Sequence, residues 1–230
     1  MTRIEQPGKM PVQGFDYYSK KNLRVYNMFV LGFNNRFVWR CPTRVIEEMF
    51  ARLATSEHCD IGVGSGYFLK KQHSRQPFTA LHLVDASGSA IDWVKQLFPD
   101  LLPGTTCTNV ASGLSHISGP VHSISLNYLL HCMKGPLENK EPILATLGNI
   151  APPGTIVFGS TIVNDKQHNT WLARHSQKLF NQKKVFDTSD DSQAKIAAVL
   201  TRHLSQLETT MHGSVLLFEG RIRESAEIAK

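Results

Sequence analysis

The stretch Asp60-Ile61-Gly62-Val63-Gly64-Ser65-Gly66 decides the fold. It follows a helix-like segment and precedes an apolar run. Three glycines at every second position, behind a carboxylate, describe a turn whose backbone must come close to a ligand. Glycine accepts positive φ and carries no Cβ to block that approach. A dinucleotide fingerprint needs its third glycine one residue later, where this chain has Tyr67. The competing reading is a tight turn without a ligand, and the flanking chain has to discriminate.

Outward from the turn, strand-like and helix-like pieces alternate. Upstream, Val25, Phe29 and Phe33 fall at helical spacing in an aromatic lead-in, and Thr43 is a candidate N-cap for a helix striped by Val45, Ile46, Met49, Phe50 and Leu53. Downstream, strands are expected over 80–84, 105–110, 121–130 and 155–163, and helices over 90–98, 142–150, 170–180 and 193–204. Two consecutive strands, 206–212 and 214–223, close the chain around Gly213. This order predicts an α/β fold: a seven-stranded, mostly parallel Rossmann-like sheet with an antiparallel C-terminal edge hairpin and helices on both faces. Ligands bind such sheets at the carboxyl ends of the strands, near the switch in strand order. The expected division is a lead-in and aromatic helical lid over 1–42 and a cofactor-binding domain over 43–230.

The bulk properties exclude several classes. With 230 residues, 41% hydrophobic and 19% charged, the chain is an ordinary globular protein with room for a large core. No apolar run reaches the roughly 18 residues of a spanning helix. The polar start, with Pro7, Gly8 and Pro11, reads as neither a signal peptide nor a transit helix, so a cytoplasmic location and no membrane partner are expected. The net charge of +6 is spread over scattered residues with short pairs such as Lys20-Lys21 and Lys183-Lys184, which reads as solvated surface rather than a nucleic-acid face. Cys41, Cys59, Cys107 and Cys132 lack CxxC or metal spacing and read as free, mostly buried thiols; no metal site is expected.

Asp85 ends the strand Leu81-His82-Leu83-Val84, where a carboxylate accepts hydrogen bonds from both hydroxyls of a ribose. It could instead serve as an acid at a helix N-terminus. The glycine series with Asp85, the Pro152-Pro153-Gly154-Thr155 turn and the terminal strand pair resembles class I S-adenosylmethionine-dependent methyltransferases. The lead-in motifs Leu31-Gly32-Phe33 and Arg36-Phe37-Val38-Trp39-Arg40-Cys41-Pro42 look like small microbial members, some associated with secondary metabolism. The resemblance runs from about 43 to 223. It implies S-adenosyl-L-methionine as cofactor, held by Asp60, Gly62, Gly64, Gly66 and Asp85, with Asn109 near the adenine.

The chain also departs from the pattern. Glu57, His58 and Cys59 stand where branched aliphatics are usual, and Ala111-Ser112-Gly113 lacks an acid often found near the adenine. Methyl transfer needs alignment of a nucleophile with the methyl group, and a base when that nucleophile carries a proton. His131 is the candidate base, against a reading as a buried histidine satisfied by backbone. Asn127 would orient cofactor or substrate, while Tyr17, Tyr18 and Trp171 would line an acceptor pocket or serve in packing. The expected function is methyl transfer to a small hydrophobic metabolite, with oxygen favoured. A cyclase-like enzyme that keeps the cofactor without transferring methyl, or a non-catalytic partner subunit, stays open. Asn127-Tyr128-Leu129-Leu130 is not the signature of a base amino methyltransferase, and the oligomeric state is not legible.

Overall fold

The structure, a computed structural model, describes residues 27–224, with side chains from residue 33 onward. Tyr17 and Tyr18 therefore lie outside the described residues. Among those described, seven strands form one sheet: β1 (Glu57–Ile61), β2 (Ala80–Asp85), β3 (Gly104–Cys107), β4 (Ser123–Asn127), β5 (Ile156–Ile162), β6 (Leu204–His212) and β7 (Val215–Ile222). Their order is β3-β2-β1-β4-β5-β7-β6, parallel except for β7, which runs antiparallel to β5 and β6. The expected Rossmann-like sheet with an antiparallel edge is the one observed. The order reverses between β1 and β4, and in sheets of this kind ligands bind at the carboxyl ends of the strands beside such a switch point.

Among the described residues, six α-helices connect and cover the strands: α1 (Thr43–Leu53), α2 (Tyr67–Arg75), α3 (Gly88–Lys95), α4 (Glu141–Ala145), α5 (Trp171–Gln182) and α6 (Gln193–His203), after a leading π-helical segment, Asn27–Val38. One face of the sheet packs Ile124, Leu126 and Val157 against Ile143, Leu144, Ile196 and Leu200. The other packs Leu83 and Phe158 against Ile46, Phe50, Leu69, Ile91 and Val94. Val38, Trp39 and Cys41 join this second core, and the Ser214 N–H donates to the Trp39 carbonyl at 2.8 Å, so the end of the lead-in is built into the main body.

Local chemistry sets the helix starts. Ser87 accepts from the Ala90 N–H, Thr170 from that of Ala173 and Ser192 from that of Lys195, each satisfying an otherwise orphaned donor. Thr43 is not a cap. It is the first residue of α1 behind Pro42, and its hydroxyl accepts from the Asn35 amide at 3.1 Å. The chain over 105–110 ends its strand at Cys107 and turns into a 3-10 helix, Val110–Ser112, because the Asn109 side-chain Oδ1 captures the Ala111 N–H. The helix expected over 142–150 breaks after Ala145 into a separate 3-10 turn, Leu147–Asn149. Residues 67–75, read only as an apolar run, form α2. All four cysteines are free, but Cys107 and Cys132 are exposed and only Cys41 and Cys59 are buried.

The unusual first strand has a physical explanation. His58, Cys59, Asp60 and Ile61 are all buried. Both imidazole nitrogens of His58 are hydrogen-bonded, Nδ1 to the Ser123 hydroxyl at 2.7 Å and Nε2 to that of Ser125 at 2.9 Å. Satisfied polar groups make burial tolerable where aliphatics are missing.

Candidate cofactor and active site

The glycine turn links the end of β1 to α2. Gly62, Gly64 and Gly66 have φ of 81°, 49° and 70°, a region that side chains with a Cβ rarely adopt. The three glycines have different surroundings. A Cβ at Gly66 would meet Leu97 Cδ1 at 2.9 Å and Val94 Cγ2 at 3.0 Å, so this glycine is needed for α2 to pack on α3. A Cβ at Gly64 would meet nothing within 4 Å. The turn therefore leaves open space over Gly64, as a ligand-facing backbone requires. The Trp93 indole N–H donates to the Ser65 carbonyl at 3.2 Å and fastens the turn to α3.

Asp85 sits beside this turn at the end of β2. Its Oδ1 accepts the Ser87 N–H at 2.8 Å and its Oδ2 the Gly64 N–H at 3.4 Å. Burial raises its pKa, and these amides, with those of Val63 and Ala86, oppose the rise. Each carboxylate oxygen keeps further acceptor capacity for ligand hydroxyls. Asp60 is buried within β1 and accepts a hydrogen bond from the Ser125 hydroxyl. Burial pushes its pKa up to about 7; the Ser125 bond works against that rise and the nearby Asp85 adds to it.

At the end of β4, Asn127 Oδ1 accepts the Ser160 hydroxyl at 3.0 Å, while its buried Nδ2 has no partner among the described residues. Tyr128 follows with a φ of 55°, a strained conformation of the kind that gathers at functional sites. Its N–H donates to the Ser160 carbonyl at 2.7 Å. His131 lies in the 3-10 turn after Tyr128. Its ring stands edge-on to Phe186 at 4.5 Å and to Tyr128 at 5.8 Å, and Nδ1 accepts the Ile162 N–H at 3.4 Å. Burial, with Lys140 nearby, lowers its pKa to about 3. Asn109 is exposed, with its side-chain Oδ1 spent on the Ala111 N–H.

Trp171 opens α5 beyond the carboxyl end of β5. It is 73% exposed and stacks on His175 at 5.7 Å, so it faces solvent rather than an enclosed wall. The geometry thus gathers Asp60, the three glycines, Asp85 and Asn127 along the carboxyl ends of β1, β2 and β4, and leaves Trp171 at the periphery. It also brings in Ser125, which the sequence did not single out, and His58, which the sequence marked only as a departure from the usual aliphatics. A signal was present, since Ser123 and Ser125 alternate with Ile124 and Leu126, but their partner is set by the pairing of β1 with β4. Among the described residues, no cluster of His, Cys, Asp and Glu is arranged to hold a metal ion, and no helix is long and apolar enough to cross a membrane.

These features find counterparts in known proteins. No family model matches the chain. It is 28% identical over 218 residues to methyltransferase aurB of Calcarisporium arbuscula, covering 89% of this chain and 94% of that protein. It is 24% identical over 204 residues to demethylluteothin O-methyltransferase of Streptomyces thioluteus, covering 89% of each. The crystal structure of the N-methyltransferase NodS from Bradyrhizobium japonicum, in complex with S-adenosyl-L-homocysteine, superposes with a TM-score of 0.60 at 14% identity, over 89% of this chain and 98% of that one, a likeness of fold. In sequence the chain is similar to named microbial methyltransferases, and in fold to a solved methyltransferase structure.

Proposed function

We propose that the protein transfers the methyl group of S-adenosylmethionine to a small, hydrophobic metabolite of secondary metabolism, with an oxygen acceptor favoured over nitrogen or carbon. One observation carries the cofactor assignment. The backbone over Gly64 is open while its N–H is held by the Asp85 carboxylate, so a nucleoside could settle on the glycine turn with its hydroxyls on Asp85. When bound, the cofactor supplies a methyl group on a sulfonium, electrophilic enough for direct displacement. The choice of oxygen leans on the Streptomyces relative, which is named for O-methylation.

The residues divide the work. Asp85 accepts the ribose hydroxyls, Asp60 faces the cationic amino-acid end, and the unspent Nδ2 of Asn127 donates to cofactor or substrate. Asn109 keeps its amide N–H₂ for an acceptor on the adenine. Residues Tyr17, Tyr18 and Trp171 are proposed to contact the acceptor, with the lead-in over 1–42 as its lid.

His131 is assigned a positioning role rather than that of a base. An imidazole whose conjugate acid has a pKa near 3 holds a substrate proton poorly at neutral pH. Its neutral ring instead ties the turn after β4 to the end of β5.

The test is incubation with methyl-labelled S-adenosylmethionine and a panel of phenols, hydroxylated polyketides and amines. Label in the product with equimolar release of S-adenosylhomocysteine is expected, strongest for an oxygen acceptor. Substrate conversion without that release would replace transfer by a cyclase-like use of the cofactor. Failure of the cofactor to bind in calorimetry would overturn the assignment of the site.

A further inference from the structure

Beneath the glycine turn, a hydrogen-bonded chain of side chains crosses an aromatic core. β1 and β4 pair in parallel with His58 opposite Ser123 and Asp60 opposite Ser125, so the four side chains share one face of the sheet. The Ser123 hydroxyl lies 2.7 Å from His58 Nδ1 and the Ser125 hydroxyl 2.9 Å from Nε2, and Ser125 continues to Asp60 Oδ1. Phe50, Phe78 and Phe158 surround the imidazole with ring centroids 5.4, 5.5 and 5.9 Å away. The far end is Thr55, whose N–H donates to Ser123 Oγ at 2.9 Å and whose hydroxyl lies 3.0 Å from it.

Proton counting gives this chain two complementary arrangements with a neutral imidazole. With Asp60 ionised, Ser125 donates to the carboxylate and accepts from Nε2–H, while Nδ1 accepts from Ser123. With the proton on Asp60 Oδ1, every bond reverses. Asp60 donates to Ser125, Ser125 to Nε2, Nδ1–H to Ser123 and Ser123 to Thr55 Oγ1, which donates to the Glu57 carbonyl at 2.9 Å. Moving one proton along each bond converts the second arrangement into the first without displacing a heavy atom. Asp60 loses a proton, each intermediate oxygen or ring passes one on, and the partly buried Thr55 releases one to solvent. A charged imidazolium is disfavoured, because burial among aromatic rings holds the His58 pKa near 3.

We propose that His58 and Ser125 are positioning residues for cofactor binding: the imidazole tautomer shifts from Nδ1–H to Nε2–H as Asp60 ionises, which readies its carboxylate for the ammonium group of S-adenosylmethionine. This rests on the cofactor reading above. Among the described residues, the charged neighbour acting on Asp60 is Asp85 from β2. On α1, Glu47 accepts from Tyr67 and Arg52 pairs with Glu219; on α2, His73 accepts the Phe78 N–H; β5 contributes the uncharged Phe158. At the Thr55 end Glu57 pairs with His122 at 2.7 Å. With burial pushing the carboxyl up to about 7, cofactor affinity falls as pH drops through 7, about tenfold for each pH unit below it.

The experiment has two parts on the full chain. Histidine ring ¹⁵N shifts of the free protein are followed from pH 5 to 9, with His58 identified as the ring perturbed in Ser125→Ala and, independently, absent in His58→Gln. A neutral ring that passes from Nδ1–H to Nε2–H with a midpoint near 7 is expected. A single tautomer throughout, or an imidazolium, overturns the relay. S-adenosylmethionine binding is then measured by calorimetry across the same range in the wild type, Ser125→Ala and Ser125→Thr. The midpoint of the pH dependence should move to higher pH in Ser125→Ala, which loses the donor that opposes the rise of the Asp60 pKa, and return in Ser125→Thr; a midpoint unchanged in Ser125→Ala overturns the coupling. A tautomer shift in a protein that binds no cofactor at any pH overturns the cofactor reading alone.

Discussion

Replacing Asp60 by Asn should stabilise the protein at alkaline pH while weakening cofactor binding. The carboxyl is buried, and its pKa rises from 3.8 to about 7, chiefly because burial disfavours the charge. Between these values the folded chain holds a proton that the unfolded chain has released. The stability from that proton is complete below about pH 4 and is lost as pH rises through 7. A shift of about three units, at about 1.4 kcal/mol each, amounts to roughly 4 kcal/mol in total, of which roughly 2.5 kcal/mol falls between pH 5 and pH 8. The Asn side chain has no such titration and can still accept from Ser125. Urea unfolding of wild type and Asp60→Asn at pH 5 and pH 8 measures the change. Relative to wild type, the variant should gain a few kcal/mol on going from pH 5 to pH 8. A stability difference independent of pH would refute the burial argument, and with it the reason for a relay beneath the turn.

Three further outcomes follow from the same geometry. Gly66→Ala should destabilise the fold by about 1–3 kcal/mol in thermal unfolding, from positive φ and the contacts with Leu97 and Val94; Gly64→Ala should cost only about 1 kcal/mol yet weaken S-adenosylmethionine binding more strongly, because its methyl enters open space. Asp85→Ala should weaken that binding by between about tenfold and a hundredfold in calorimetry, the loss of a charge-assisted hydrogen bond worth about 1.5–3 kcal/mol. The buried Lys140 ammonium donates to Asp191 Oδ2 and to the Asp187 carbonyl, each at 2.5 Å. Lys140→Met should therefore cost about 3–5 kcal/mol in urea unfolding by leaving Asp191 uncompensated, and Lys140→Met with Asp191→Leu should recover much of it.

Features governed by near neighbours were legible without coordinates. The alternating glycines, the acid ending β2 and the order of strands and helices all express local conformational preference or side-chain periodicity, and they led to the sheet and to the glycine turn beside its switch point. Boundaries failed where a side chain competed for a backbone donor, as Asn109 does at Ala111. For His131 the sequence left two readings side by side, and its burial was decided by Phe186 and Ile162, distant in sequence. Nor was the exposure of Trp171, which its aromatic character alone does not decide.

The sequence by itself determined the architecture and the glycine turn, because a residue's φ and a strand's alternation are properties of short segments. Only the tertiary structure decided what the polar first strand is for. His58 and Asp60 meet Ser123 and Ser125 across 65 residues of chain, through the register of two strands that are not consecutive. Whether a buried histidine is a defect or a link depends on the hydrogen-bond partners that register supplies.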